Sequence, residues 1–346
     1  MNTIRPRIAR LGTFNDYFVN EMIRTSQGPI GQISPTPAER LKGFIPEVVD
    51  SPERTCDLDR LFFEGMRAVN DSEAYTRLSI RAVVRDDLIH ELRHVEARIP
   101  LQGDGLSGFS IIYQGHNKSG RNGGGQGLPP RDKVMDYFDV INKAKEKSFN
   151  PMALRKRAED VTTGRITRED VEANPESFVA LLGNHGYKTP EAVLRIVENE
   201  ANIVVAAYKN GQPAGITVGE VATINLDTGQ ALRILEITDS TVLEQFQNNG
   251  VYSAVSSELL RHISENHRAM GLNVVYAETV ITAPTLNVAA TQGRHFDLSV
   301  FDVNGRTGVP FGMLPYHAKV DENYETLVVN YLTRQDLDVI RVALRD

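Results

Sequence analysis

The sequence predicts an α/β (α+β) protein with a mixed, mostly antiparallel sheet flanked by helices, and three features of its second half support this class. Asn210-Gly211 separates two apolar segments and is a strong signal for a hairpin turn. Residues 232–243 have the pattern of a strand that leads through a tight turn into a long amphipathic helix. Residues 273–280 follow as a buried apolar strand. Together these elements indicate a sheet with helices packed on it.

The composition is that of a globular protein. The chain has 346 residues, of which 41% are hydrophobic and 24% charged, and its formal net charge is −7. Such a length predicts about two domains, or one domain with a large insertion. No dense run of Lys or Arg is present to follow a phosphate backbone, which argues against nucleic acid as the main ligand.

Cysteine content and hydropathy bear on location. Cys56 is the only cysteine, so an internal disulfide and a thiolate metal cluster within one chain are excluded, and we expect this side chain to be a small buried hydrophobe. The sequence has no apolar signal core and no apolar run of about 18 residues. We therefore expect a cytoplasmic protein that does not bind a membrane.

The first hundred residues are predicted to hold two helices and one strand. Residues 57–69 repeat apolar side chains at helical spacing. Residues 78–84 have the pattern of a strand, after which Asp86 or Asp87 is expected to cap a helix. The apolar face of that helix ends at Ile99, and Pro100 closes it.

Residues 101–198 are predicted to be a long loop followed by helices. The loop contains one short strand candidate at 109–113 and a glycine run at 119–127. From 131 to about 198 the pattern is mostly helical, most clearly at 132–147 and 190–199. Thr167 and Asp170 have the spacing of a capping box.

The region after residue 200 is predicted to be a compact β-rich block. Its predicted elements, in chain order, are strands at 203–208, 214–224 and 232–243, a helix at 252–270 that ends at Gly271, a strand at 273–280, a short helix at 284–292, strands at 295–303 and 324–332, and a terminal helix at 336–344.

The turn before the long helix is the most informative local feature. Gly250 lies between the strand 232–243 and the helix that begins near Tyr252. A strand that enters a helix through a tight turn directs several backbone N–H groups to one point, where the positive end of the helix dipole adds to them. The sequence therefore predicts an anion site suited to a pyrophosphate.

This segment resembles the GNAT acyltransferases, which place the pattern Q/R-x-x-G-x-G/A after their fourth strand and bind the pyrophosphate of acetyl-CoA with its amides. Gln247-Asn248-Asn249-Gly250-Val251-Tyr252 matches at its first and fourth positions, and Tyr252 replaces the last small residue. The hairpin upstream and the helix, strand, short helix and strand downstream have the family's order. Leu78 to Leu88 also resembles the opening of these domains, a strand ending in "iR-x-a-x-x-x-D".

The resemblance implies a set of cofactor-binding residues. It places a backbone N–H that stabilises the developing charge of the thioester carbonyl near Val242 or Leu243. Acetyl-CoA or another acyl-CoA would be the co-substrate, with no metal, and would lie where strands 232–243 and 272–280 separate. The residues implied to contact it are Thr241, Val242, Leu243, Gln247, Asn248, Asn249, Gly250, Val251, Tyr252, Ser253 and Asn287.

Amide formation also requires a group that removes a proton from the attacking amine. Asp239 lies at the family's usual acidic position, and Glu236 is the second candidate. Because they are three residues apart on one strand, we expect them to face opposite sides of the sheet. The family's Tyr that protonates the leaving thiolate is missing from the short helix, which leaves Tyr252, His295, water or an unassisted departure.

The resemblance implies a domain organisation and an acceptor class. It divides the chain into an extension at 1–77 and a GNAT-like domain at 78–346 with an insertion at about 100–200. Glu236 to Gly250 most resembles the β-lysine N-acetyltransferases. The acceptor would be a small-molecule amine or an amino acid, and a homodimer stays open.

Two other interpretations compete with a catalytic N-acyltransferase. Tyr252 and the missing helix Tyr favour a GNAT-like module that binds acyl-CoA as a sensor without catalysis. His90-Glu91-Leu92-Arg93-His94 matches H-E-x-x-H, the zinc pattern of metallopeptidases, which requires both imidazoles on one face of a helix. Arg93 and the charged flanks of this segment argue against a metal.

The glycine run 119–127 lacks the Gly-Lys-Ser/Thr ending of a phosphate loop and is expected to be a mobile loop or a substrate lid.

Overall fold

The structure is a computed structural model. It describes residues 11, 40–73, 75–103, 105–118, 129–155, 160–185, 187–297, 312–320 and 323–345. The glycine run at 119–127 and residues 298–303 of the predicted strand 295–303 therefore lie outside the described residues.

A four-stranded sheet forms from residues 40–117, in the order β1-β2-β4-β3. Helix α1 joins β1 to β2, which pair in parallel, whereas the other two pairings are antiparallel. The strand predicted at 78–84 is confirmed as β2, but it belongs to this sheet and has no partner in the sheet that carries the Gly250 turn. The elements are β1 (Arg40–Val49), α1 (Pro52–Asp71), β2 (Arg77–Arg85), β3 (Val95–Pro100) and β4 (Phe109–Asn117).

The predicted helix from Asp86 to Ile99 was wrong. A 3₁₀ turn covers Asp86–Glu91, His94 adopts a φ of 56°, and β3 follows at once. Strand β3 pairs with β4, and this long-range pairing overrides the local helical pattern. The zinc interpretation fails with the helix, because His90 and His94 no longer share a helical face. His94 instead lies against the ring of Phe62, with centroids 5.2 Å apart.

Helix α1 corrects a second expectation. Its apolar stripe, which includes Leu58, Leu61 and Phe62, is fully buried under the four-stranded sheet. Cys56 lies on the opposite side of the helix and is exposed. The cysteine is therefore not the buried small hydrophobe that its residue type predicted.

The segment from 131 to 198 is mostly helical, as predicted, but it also contains a strand. Strand β5 pairs with the first strand of the next hairpin. Thr167 and Asp170 form the predicted capping box, with reciprocal bonds between each side chain and the other residue's backbone N–H. The elements are α2 (Arg131–Lys145), α3 (Pro151–Arg155), β5 (Val161–Arg165), α4 (Arg168–Ala173), α5 (Pro175–Leu182) and α6 (Pro190–Glu198).

The remaining residues complete an eight-stranded sheet in the order β10-β12-β9-β8-β7-β6-β5, with β11 paired to β12. Among the described residues of this sheet only β8 and β9 pair in parallel, which confirms the mixed, mostly antiparallel sheet flanked by helices. The elements are β6 (Asn202–Lys209), β7 (Gln212–Asn225), β8 (Ala231–Val242), α7 (Val251–Asn266), β9 (Val274–Val280), α8 (Ala283–Thr291), β10 (His295–Phe296), β11 (Met313–Val320), β12 (Asn323–Thr333) and α9 (Arg334–Arg345).

The two faces of the eight-stranded sheet are covered by different layers. Helices α7 and α9 bury one face. The other face is covered by α4–α6 above β6 and β7, and by the four-stranded sheet above β8, β9 and β12. This second face is thus covered by two layers, and we call it the composite face.

In the part of the chain that the structure describes, no helix is both long and apolar enough to span a membrane.

Candidate functional site

Strands β8 and β9 separate at one end of the sheet. Their parallel pairing stops at Ile237 and Ala277, although β8 continues to Val242 and β9 to Val280. A β-bulge in β8 causes the separation, because Asp239 and Ser240 together oppose the single residue Thr217 of β7. The separation of these strands that the family resemblance implied, which we call the gap, is therefore present.

A backbone donor faces this gap. Leu243 donates its N–H to the carbonyl of Ala214 on β7, over 3.0 Å. Because successive N–H groups of a strand point to opposite sides, the N–H of Val242 is directed away from β7 and into the gap. Thr241, Val242 and Leu243, predicted as cofactor-binding residues, thus form the β8 edge of the gap.

The gap leads directly to the predicted anion-binding turn. A 3₁₀ turn at Glu244–Phe246 precedes Gln247, and Asn248 and Gly250 adopt φ angles of 62° and 74°. Gly250 is the N-cap of α7 and lacks a side chain that could occupy the helix start. Glycine reaches this left-handed conformation at low cost, whereas other residues are strained there.

The start of α7 offers free backbone donors. Ala254 is the first residue to make a helical bond, to the carbonyl of Gly250 over 3.0 Å, so the N–H groups of Val251, Tyr252 and Ser253 have no helical partner. The first turn contains no acidic residue, and residues 247–250 are exposed. These groups form an accessible anion site next to the gap.

Asn287, also predicted to contact the cofactor, is half-buried on α8, the helix that follows β9.

Asp239 lies at the bulge and faces the α5–α6 connection. Its carboxylate is 3.0 Å from Nδ1 of His185, and Nε2 of the same ring is 2.7 Å from the hydroxyl of Thr241. Tyr187, also in this connection, has a raised pKa because it is buried and lies beside the charge of Asp239. His185 therefore links the carboxylate to the edge of the gap.

Glu236 lies on the same face of the sheet as Asp239, so the prediction that they face opposite sides was wrong. Its carboxylate accepts a hydrogen bond from Tyr276 over 2.5 Å and lies 3.4 Å from Nζ of Lys42 and 3.5 Å from Arg81. Asp239 is itself one of the two bulge residues, so its side chain departs from the alternation that the paired residues keep up to Thr238. The regular period that the prediction assumed ends at Thr238.

Glu220 on β7 is a third acidic residue beside Glu236 and Asp239, and the sequence interpretation missed it. It is paired with Glu236 across the strands. Burial raises its pKa to about 7, with further contributions from Asp239 and Glu236, whereas Lys42 lowers it. A carboxyl that titrates near neutral pH is suited to accept a proton. The alternation Ile216, Val218, Glu220 is the sequence signal that could have placed it on this buried face.

We call Glu220, Glu236, Asp239 and Glu278 the acidic cluster. Glu278 follows on β9 and lies 3.2 Å from Nζ of Lys42 and 3.0 Å from Nε2 of His317. The cluster spans three neighbouring strands beside the gap, under the composite face. Its negative charge is suited to a cationic group such as a protonated amine.

The predicted candidates for the leaving-group acid lie on elements outside the acidic cluster, Tyr252 on α7 and His295 on β10. Tyr252 is half-buried in the first turn of α7, close enough to the buried Arg294 for an electrostatic interaction. His295 is bonded through Nε2 to Asp336 over 3.0 Å, and this hydrogen bond raises its pKa. Because His295 is on β10, with β12 and β9 between it and the gap, Tyr252 is the better-placed candidate.

Comparison with known proteins finds similarity only among solved structures. No protein-family model and no curated protein matches the chain. The ribosomal-protein-S18-alanine N-acetyltransferase of Escherichia coli is 12% identical, with a TM-score of 0.35 over 50% of this chain and 93% of that one. A putative acetyltransferase of Salmonella typhimurium, solved with acetyl-CoA, is 14% identical, with a TM-score of 0.36 over 51% and 95%. Glucosamine-6-phosphate N-acetyltransferase of Arabidopsis thaliana is 18% identical, with a TM-score of 0.29 over 36% and 84%.

Proposed function

We propose that this protein is an acyl-CoA-dependent N-acyltransferase that transfers an acetyl or other acyl group to the amine of a small molecule or an amino acid, in the cytoplasm. The continuous path from the β8–β9 gap to the start of α7 carries the proposal. In the gap, β8 and β9 no longer pair, and the N–H of Val242 points into the space between them. An extended pantetheine arm would fit there as a strand does. The uncapped N–H groups of α7 suit its pyrophosphate.

The acidic cluster supports an amine as the acceptor. The amine would approach on the composite face, beside Asp239 and Glu236, whose side chains are 18% and 20% exposed. Glu220 would accept its proton, since the pKa of Glu220 lies near 7. The neutral amine then attacks the thioester carbon, the N–H of Val242 stabilises the charge on the carbonyl oxygen, and the thiolate leaves as the amide forms. Tyr252 stays our candidate for the group that protonates the thiolate.

We propose a revised division of the chain for this function. Strand β5, rather than β2, precedes the first helices of the eight-stranded sheet. Residues 161–345 would then form the acyltransferase unit without an insertion between its first helices and its hairpin. Residues 40–117 would cover the acceptor side, to which Lys42 and Arg81 already contribute.

Titration calorimetry with acetyl-CoA tests the proposal. We expect micromolar binding to the wild type and no binding to Gly250→Trp, because the indole would occupy the anion site. Gly229→Trp is the matched control: Gly229 has a φ of 82° in another turn, and a Cβ atom there would meet no atom within 4 Å. It should bind acetyl-CoA like the wild type.

The outcomes separate three cases. If the wild type does not bind millimolar acetyl-CoA, the proposal is wrong. If it binds, but no amine from a panel of polyamines, amino acids and amino sugars releases free CoA thiol, the protein is an acyl-CoA-binding module without catalysis. Binding together with thiol release in the presence of one amine class would establish the transferase and name its acceptor.

A further inference from the structure

A second cavity lies at the β10 edge of the eight-stranded sheet. Its volume is about 440 Å³, and it is bounded by the end of α8, by β10, by α9 and by residues 145–149, which begin at the last residue of α2. Strands β12 and β9 lie between β10 and the β8–β9 gap. The β10 cavity is therefore separate from the gap, although its wall residue Arg294 also bonds Ser256 of α7 and lies near Tyr252. The inference below does not depend on the proposed function.

Basic side chains outnumber acidic ones in the walls of the β10 cavity. Five of the lining residues can carry a positive charge: Arg98, Lys145, Lys147, Arg294 and His295. The two acidic lining residues are already bonded, since Asp297 accepts from Arg98 and Asp336 accepts from His295 and from Thr333. The remaining charge of the cavity is positive.

Arg294 is the most constrained of these cations. Gly293 ends α8 with a φ of 82°, and the N–H of Arg294 then bonds back to the carbonyl of Ala289 over 3.1 Å. This helix end turns the side chain inward, where it is only 7% exposed. The position of Arg294 is thus fixed by the backbone rather than by an ion pair.

The hydrogen-bond partners of Arg294 are all neutral. Its guanidinium donates to the hydroxyl of Ser256 at 3.1 Å, to the amide oxygen of Gln292 at 3.1 Å and to that of Asn330 at 3.3 Å. Among the described residues it contacts no carboxylate, and its buried Nε has no hydrogen-bond partner. Burial without an opposite charge lowers its pKa. A buried guanidinium in this state is unfavourable unless an anion compensates it.

We propose that the β10 cavity binds a small organic anion that presents a carboxylate or a phosphate group, with Arg294 in its wall and Lys145 and Lys147 at its rim. The bound group supplies the counter-charge that Arg294 lacks. Its planar donors match both carboxylate and phosphate oxygens. The exposed lysines attract the anion and contribute less to its affinity.

The experiment is titration calorimetry at constant ionic strength with two probes, inorganic phosphate and succinate, and with glycerol as the neutral control. We expect one of the two anions to bind and glycerol not to bind, and the stronger probe identifies the headgroup. Because the start of α7 is itself an anion site, binding to the wild type alone does not support the proposal. The decision rests on variants of the cavity.

Lys145→Glu and Lys143→Glu form the matched pair. Both lysines are exposed in the last turn of α2, but only Lys145 lines the cavity. We expect Lys145→Glu to weaken binding at least about fivefold and Lys143→Glu to change it less than about twofold. Arg294→Gln, which keeps an amide donor, should abolish binding at this cavity. The proposal is overturned if neither anion binds at millimolar concentration, or if the two lysine variants behave alike.

Discussion

The acidic cluster and the β10 cavity are two charged regions of one sheet, and their charges are opposite. In the acidic cluster, Lys42 lies between Glu236 and Glu278 and compensates part of the negative charge. Glu220 is left with a pKa of about 7. In the β10 cavity, Arg294 has neutral partners only. Side chains of the protein itself thus balance much of the charge of the acidic cluster, whereas no carboxylate among the described residues balances the charge of Arg294.

The chemistry of the two side chains explains why this difference matters. A buried carboxyl without a cation can neutralise itself by binding a proton, and Glu220 does so near neutral pH. A guanidinium retains its proton in proteins, so Arg294 can be neutralised only by an anion. The free-energy cost of burying an unbalanced charge therefore favours proton transfer at Glu220 and anion binding at Arg294.

The largest effect is expected from Glu220→Gln, which removes the proton acceptor and keeps the shape of the side chain. We expect kcat to fall about 100-fold or more, with acetyl-CoA affinity unchanged. In the wild type, kcat/KM should rise with pH through about 7, because only the deprotonated carboxylate of Glu220 accepts a proton. This rise should be absent from the residual activity of the variant.

Glu176→Gln, at an exposed position of α5, is the control and should leave the kinetics unchanged. Glu236→Gln and Asp239→Asn separate the members of the cluster. A larger loss of kcat in either of them than in Glu220→Gln would show that Glu220 is not the proton acceptor.

The same substitution should increase stability at alkaline pH. The pKa of Glu220 is raised from 4.5 to about 7 in the folded state. Between pH 4.5 and 7 the unfolded chain loses the Glu220 proton and the folded chain keeps it, so the fold loses stability progressively, by about 3 kcal/mol at most above pH 7. Denaturant unfolding at pH 4 and pH 8 should show Glu220→Gln more stable than the wild type only at pH 8. An equal difference at both pH values would mean that Glu220 is not a costly buried charge.

The C-terminal half of the fold was predictable because its local signals agree with its tertiary structure. Asn210-Gly211 joins β6 to β7, and Gly271, with a φ of 65°, follows α7. The segment Val95–Ile99 fits both a helical stripe and a strand alternation, and only pairing with β4 decides between them. Strand β5 has one buried residue, Val161, so its pattern is too weak to recognise without its partner β6.

The candidate site was predictable where one segment builds it and unpredictable where strands meet. The turn at Gly250 depends on consecutive residues, and its glycine marks it. The pKa of Glu220 depends on Glu236 across the strands and on Asp239 at a bulge. A bulge leaves no periodic signal of its own, which is why the sequence placed Asp239 and Glu236 on opposite faces.

The smallest effect is expected from Lys42→Met, which removes one cation of the acidic cluster, leaves Arg81 beside Glu236 and keeps an unbranched side chain. Lys42 lowers the pKa of Glu220, so its loss should raise that pKa and move the rise of kcat/KM to higher pH. At pH 7 fewer molecules then hold Glu220 deprotonated, and we expect the rate to fall about threefold while the rate at pH 9 is unchanged. Lys209→Met, at the far end of β6, is the control for the loss of one positive charge. A pH profile that does not move, or that moves to lower pH, would show that Lys42 does not compensate this cluster, and the contrast with Arg294 would then disappear.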